Sequence, residues 1–153
     1  MRILLTLFLF SLTSLCYAVG EGPSAIEVNV SVGTEDGKLV FVPDHLEFER
    51  GNHYKLVLHN PSSDEHYFAS DEFSTHIFTH KIEVAGKDHK TLAEIHGSAH
   101  DVEIKPGTTV EWFFYPMRNA ENMKLYCHKA DHEEHGMVGT ITIKGPPPFS
   151  KRD

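Results

Sequence analysis

The chain is poor in cysteine, in positive charge and in long apolar runs, and each shortage narrows what it can be. Cys16 and Cys127 are the two cysteines in 153 residues, and no CxxC pair occurs, so the sequence offers no paired-cysteine metal or redox motif. Lys and Arg number 14 against 22 Asp and Glu, a formal charge of −8. That balance argues against nucleic acid as a partner. The one long apolar run, from Ile3 to Phe10, is too short to cross a bilayer. There is no glycine-rich phosphate loop, no serine nucleophile elbow and no internal repeat. No long amphipathic helical period is present either.

The first residues read as an export signal. Met1–Arg2 gives a positive start, Ile3 to Phe10 an apolar stretch, and Cys16–Tyr17–Ala18 places small residues where a signal peptidase reads. A cleaved signal is expected over residues 1–18, a single domain over 19–145 and a tail over 146–153. A retained anchor or a lipoprotein are the alternatives. The lipoprotein needs a small residue before Cys16, where Leu15 stands. The expected location is the periplasm, with no stable membrane insertion once the signal is removed. Loss of Arg2 takes the charge from −8 to −9. Loss of Cys16 leaves Cys127 alone in an oxidising compartment, a liability unless something occupies the thiol. A metal would occupy it.

What is abundant is strand-like alternation. Ile26 to Val32 and Tyr54 to Asn60 alternate apolar and polar residues, as half-buried strands do. Leu39 to Val42 is a short run stopped by Pro43, and Leu46 and Phe48 continue in the same manner. Further strands are expected at Ile82–Val84, Asp101–Ile104, Thr108–Tyr115, Met123–Cys127 and Val138–Ile143. The stretch from Tyr67 to His80 has aromatics without a period and reads as a helical turn or covering loop. Residues 85–100 carry histidines among Lys, Gly and Asp and give no clear element. Trp112, Phe113 and Phe114 are expected in the core, and Met117 and Met123 as packing residues. The fold class is all-β, a sandwich or barrel of about seven to eight strands.

The chemistry concentrates between two of those strands. Tyr126 to Met137 holds Cys127, His128, His132, His135 and Met137. Thiolate, imidazole and thioether together form a soft-to-borderline donor set suited to copper, and a trigonal His₂Cys site with a weak axial Met is how blue-copper proteins hold the ion. Zinc also takes Cys and His, but a placed Met argues against it. One loop can supply Cys, one His and Met, so a second His must come from upstream. His45, His53, His59, His66, His76, His80, His89, His96 and His100 are available. His66 stands out because it follows the Tyr54–Asn60 strand and a polar turn. Most of the twelve histidines are expected to be solvated surface groups.

An Asn-ended strand, a turn and His66, then Tyr126–Cys127, His132, four residues and Gly136–Met137–Val138–Gly139 before a last strand resemble the cupredoxins. Within them the pattern is most similar to the plastocyanin and pseudoazurin type. The resemblance extends loosely over residues 26–144, including Phe41–Pro43 and the Lys105–Thr108 turn. It implies a Greek-key β-sandwich with one mononuclear type 1 copper near one end. It also implies that His66, Cys127 and His132 are equatorial ligands and Met137 the axial one. His135 is the rival to His132, but it lies so close to Met137 in sequence that both binding one ion would be strained. Four residues separate Cys127 from His132 and four more separate His132 from Met137. The first count resembles azurin-like loops and the second plastocyanin-like loops. Tyr67 stands after His66, where many relatives have an Asn that braces the Cys loop.

The implied activity is that of an exported electron carrier cycling Cu(II) and Cu(I), with no enzymatic chemistry of its own. Its partner would be a redox protein such as a cytochrome or oxidase. His132, flanked by Asp131, Glu133 and Glu134, would be the exit for the electron. The alternative is a copper carrier that delivers the ion to an oxidase or other acceptor.

Overall fold

The computed structural model describes residues 24–86, 88 and 90–145. The signal expected over 1–18, the tail over 146–153 and His89 lie outside the described residues. Eleven strands and one short helix are present among those residues. In order they are β1 (Ile26–Val32), β2 (Phe41–Val42), β3 (His45–Glu49), β4 (Tyr54–His59), β5 (His66–Ala69), α1 (Asp71–His76), β6 (Ile77–Ala85), β7 (Thr91–Ile95), β8 (Asp101–Ile104), β9 (Thr109–Pro116), β10 (Ala120–Tyr126) and β11 (Val138–Lys144).

The strands form two sheets, β2-β1-β4-β9-β6-β7 and β3-β11-β10-β5-β8. β1 pairs with β4 and β3 with β11 in parallel, and the other pairings are antiparallel. The core lies between the sheets, because each central strand sends alternate side chains inward. β4 buries Tyr54, Leu56 and Leu58, and β9 buries Val110, Trp112, Phe114 and Pro116. Phe48 meets Tyr54 at 4.9 Å and Phe114 at 5.1 Å between ring centroids, both edge to face. Such pairs add about 0.5–1.5 kcal/mol beyond the area they bury.

The fold is the all-β sandwich expected, with more strands than seven or eight. The additions come from stretches whose side chains do not alternate. β5 is buried at three of its four positions, since it lies between β10 and β8 and faces the core. β7 is exposed along its whole length and is a strand only through backbone pairing with β6. The interval from Tyr67 to His80 contains strand, helix and strand. Ser70 caps α1, its Oγ accepting from the Phe73 N–H at 3.4 Å, with Asp71 and Glu72 in the first turn.

Two core expectations are corrected. Phe113 faces outward, between the Trp112 and Phe114 that face in, with the Lys81 Nζ 5.0 Å from its ring centroid. Strict alternation along β9 requires this. Met117 follows the end of β9 and is 57% exposed rather than packed. Met123 is buried as a packing residue. No helix among the described residues is long and apolar enough to cross a membrane.

Candidate metal centre

Two adjacent strands and one loop bring the candidate ligands to one end of the sandwich. His66 opens β5, Cys127 follows β10, and Met137 precedes β11. Tyr126 pairs with Ala69 of β5 and with Val138 of β11. Those pairings set Cys127 alongside β5 and close the loop behind Met137. The Tyr67 N–H donates to the Cys127 Sγ at 3.3 Å, so the residue after His66 touches the sulfur through its backbone.

The loop braces itself. The Cys127 N–H donates to the Met137 carbonyl at 3.1 Å, and the Met137 N–H to the His132 carbonyl at 2.9 Å. Between them His132 donates to Lys129, His135 to Asp131 and Gly136 to Glu133, all at 3.0 Å. These are turns of helical pitch. Ala130 (φ 46°) and Gly136 (φ 93°) take the left-handed conformation that lets the coil enter and leave. The long loop is therefore compact, and it aims His132 inward.

His66, Cys127 and His132 converge, their ligand atoms all within 4.8 Å of one another. The two Nδ1 atoms are 3.2 Å apart, and the His132 Nδ1 is 3.5 Å from the Cys127 Sγ. Cys127 and Met137 are 0% exposed, His66 1% and His132 8%. His135 is not in the group. It is exposed, and its Nδ1 lies 2.9 Å from the Asp131 carbonyl. His128 turns away, its Nε2 2.8 Å from the Asp101 carboxylate and its ring centroid 4.1 Å from that of Tyr67. His45, His53, His59, His76, His80, His96 and His100 lie outside the group.

A hydrogen-bonded base fixes which nitrogen of His66 faces the sulfur. The Ser62 Oγ lies 2.9 Å from the His66 Nε2. That hydroxyl has one proton, and the Asn60 Oδ1 (2.7 Å) and the Asp64 carbonyl (2.9 Å) are both acceptors for it. Towards His66 it is an acceptor, so Nε2 carries the ring proton and Nδ1 presents its lone pair. The Asn60 side chain ties this base down, its Nδ2 donating to the Asp64 and Ile104 carbonyls at 2.7 and 2.8 Å. Gly33, just past the end of β1 with φ +81°, lies against the Nε2–Cδ2 edge of the ring, next to Ser62. A Cβ there would sit 2.6 Å from the His66 Nε2. Burial, with the neighbouring His132 and Lys129 acting the same way and Asp64 opposing, holds the His66 imidazole below the ordinary histidine value.

These residues fit a bound ion. Two nitrogens about 2.0–2.1 Å and a sulfur about 2.3 Å from one centre, at tetrahedral angles, stand about 3.3 Å (N···N) and about 3.6 Å (N···S) apart. The two Nδ1 atoms stand 3.2 Å apart and the His132 Nδ1 3.5 Å from the sulfur, with all three ligand atoms within 4.8 Å of one another. Two imidazole nitrogens facing each other and a thiol in a dry pocket satisfy one another poorly without a cation between them. The donor set, two imidazoles and a thiol with a buried thioether on the same loop, is one that selects copper.

Sequence reasoning did not single out Ser62, Gly33 or Asp101. Asn60 was legible only as the polar end of a strand, and Ser62 and Gly33 as turn residues. Asp101 carried no signal, because its partner His128 is distant in sequence.

A two-sheet sandwich with a buried His-Cys-His group at one end defines a cupredoxin, and the group fits one mononuclear type 1 copper. The chain belongs to the copper binding proteins of the plastocyanin/azurin family, whose family model matches residues 28–144. It is 29% identical over 122 residues to the chloroplastic plastocyanin of Pisum sativum, covering 78% of this chain and 61% of that one. It is 28% identical over 124 residues to the chloroplastic plastocyanin minor isoform of Arabidopsis thaliana, covering 79% and 60%. The chain thus spans about three fifths of the length of these curated relatives. Among solved structures it is similar in fold to auracyanin B, with a TM-score of 0.51, 16% identity and coverage of 82% of this chain and 93% of that one. A multicopper oxidase from Campylobacter jejuni gives a TM-score of 0.55 at 18% identity, covering 86% of this chain and 32% of the oxidase.

Proposed function

We propose that the chain is an exported electron carrier whose copper is held by His66, Cys127 and His132, with Met137 as the weak axial ligand. The copper, once bound, supplies a one-electron Cu(II)/Cu(I) couple. The protein supplies a donor cage that does not have to rearrange. The observation that carries this reading is the convergence of two Nδ1 atoms on a sulfur at the end of a closed sandwich, with every donor residue at least nine-tenths buried.

The carrier reading is favoured over copper delivery by that burial. A delivery protein must expose its ligands to the acceptor, and here His132 alone reaches the surface, at 8% exposure. An electron needs no such opening. His132 emerges beside acidic Asp131 and Glu134 and not far along the chain from exposed Val138. A partner such as a cytochrome or an oxidase would meet that edge. The family resemblance and the export signal expected over residues 1–18 support a periplasmic setting. The one His-Cys-His group found among the described residues suits a one-electron carrier.

Absorption and EPR spectra of the copper-loaded protein test the reading. An intense visible sulfur-to-copper band is expected in the oxidised form, lost in Cys127→Ser and altered in His132→Ala. A colourless oxidised copper form would overturn it. Rapid loss of Cu(I) to a competing chelator, without fast electron self-exchange, would favour delivery instead.

A further inference from the structure

The outer face of the six-stranded sheet carries a second pair of histidines that the copper site does not use. His53 immediately precedes β4, and its carbonyl accepts from the Ile26 N–H at 2.8 Å. Its ring stacks on Tyr115 at 4.4 Å with an interplanar angle of 7°. The His53 Nε2 is buried and has no hydrogen-bond partner. A buried nitrogen without a partner is costly to a fold unless a water or an ion meets it.

His80 is delivered to the same place by a break in the sheet. β6 pairs Thr79 with Phe114 and Lys81 with Phe113, so His80 is the extra residue of a β-bulge. Thr79 faces the core, where its Oγ1 accepts from the Trp112 indole N–H at 3.1 Å, and Ile82 is buried again. Without the bulge one of these two would turn outward. With it, His80 becomes an additional outward side chain. Bulges often re-aim a side chain in this way beside a functional site.

The two rings are placed like a metal-binding pair. The His53 and His80 centroids are 5.7 Å apart with an interplanar angle of 52°. His66 and His132, the pair in the copper site, are 5.1 Å apart with the same angle of 52°. Imidazoles bound to one ion through nitrogens at about 2.0–2.1 Å have centroids about 5–6 Å apart. Burial and the nearby His80 hold His53 below the ordinary histidine value, so its lone pair is free at neutral pH. The neighbouring Lys81 charge is taken up by Glu83 and Glu94.

We propose that His53 and His80 form a second metal site, on the outer face of the six-stranded sheet, for a divalent ion that favours imidazole, such as Zn(II) or Cu(II). Imidazole donors without thiolate suit both ions. With two imidazole donors and no thiolate, the site binds more weakly than the buried one. β4 separates the two sites. The His53 end and the Asn60 end of that strand are roughly 20 Å apart at about 3.3 Å per residue, so one site can fill without the other.

Zinc titration of the copper-loaded full-length protein tests this, followed by equilibrium dialysis and by histidine proton resonances. The wild type is expected to take up one more zinc than His80→Gln, with the resonances of two histidines shifting together. His80 is exposed, so this variant keeps the fold, as circular dichroism would verify. His53→Gln should lose the same equivalent, and His76→Gln should retain it. Equal zinc uptake by wild type and His80→Gln overturns the proposal. The reading is a difference between two proteins with identical copper ligands, so it stands or falls separately from the copper assignment.

Discussion

A serine hydroxyl decides how His66 presents itself. Ser62 lies three residues past the end of β4, and its Oγ is the acceptor for the ring Nε2–H at 2.9 Å. Such outer partners fix the tautomer and orientation of a metal-binding histidine. Ser62→Ala removes the acceptor and leaves a buried N–H unpaired. The metal-free protein should lose about 1–3 kcal/mol of stability in urea unfolding. Copper affinity should fall about 10- to 100-fold in a chelator competition. Unchanged affinity would mean that packing against Gly33 alone orients the ring. At this scale the sequence was uneven. Cys127, His132 and Met137 announce themselves because their spacing is local, and His66 because a strand and turn precede it. Ser62 and Gly33 look like any turn residues. Their meaning depends on a ring that the fold, not the chain order, lays against both of them.

The elements hold the loop ends in place. β11 begins one residue after Met137 and pairs in parallel with β3, Thr140 against His45. The Thr140 N–H donates to the Asp44 carbonyl at 2.8 Å. Gly139 makes that approach possible, since a Cβ there would lie 2.3 Å from the Asp44 oxygen. That oxygen is backbone and cannot swing aside as a side chain can. Gly139→Ala should therefore push the start of β11 from β3, at a cost of about 1–3 kcal/mol in urea unfolding. Because Met137 is two residues away, the visible spectrum of the copper form should shift as well. A destabilised variant with an unchanged spectrum would separate Met137 from the strand's position. Strands β4 and β9 could be read in advance from alternate burial. β5 and β7 could not, since one is buried on nearly every side and the other exposed throughout, and neither pattern has a period of two.

The molecule as a whole is a closed frame around a site that is satisfied only when filled. Cys127 is a free thiol at 0% exposure, beside two imidazole nitrogens 3.2 Å apart. Six strands on one side and five on the other fix those positions before any ion arrives. Binding to this preformed cage is binding to the native state, and it stabilises that state by mass action. At free copper one hundred times the dissociation constant the gain is about 2.7 kcal/mol, a rise in Tm on the order of 10 °C for a domain of this size. The unfolded chain offsets part of this, because its twelve histidines also bind copper, so the melting experiment is best run with one equivalent and no excess. Cys127→Ser keeps the shape of the site and removes the thiolate. Its metal-free Tm should stay close to that of the wild type, while the rise on adding copper should shrink to what two imidazoles provide. A full rise in Cys127→Ser would place the stabilising copper elsewhere. His80→Gln is then the control that separates the sandwich end from the outer sheet face.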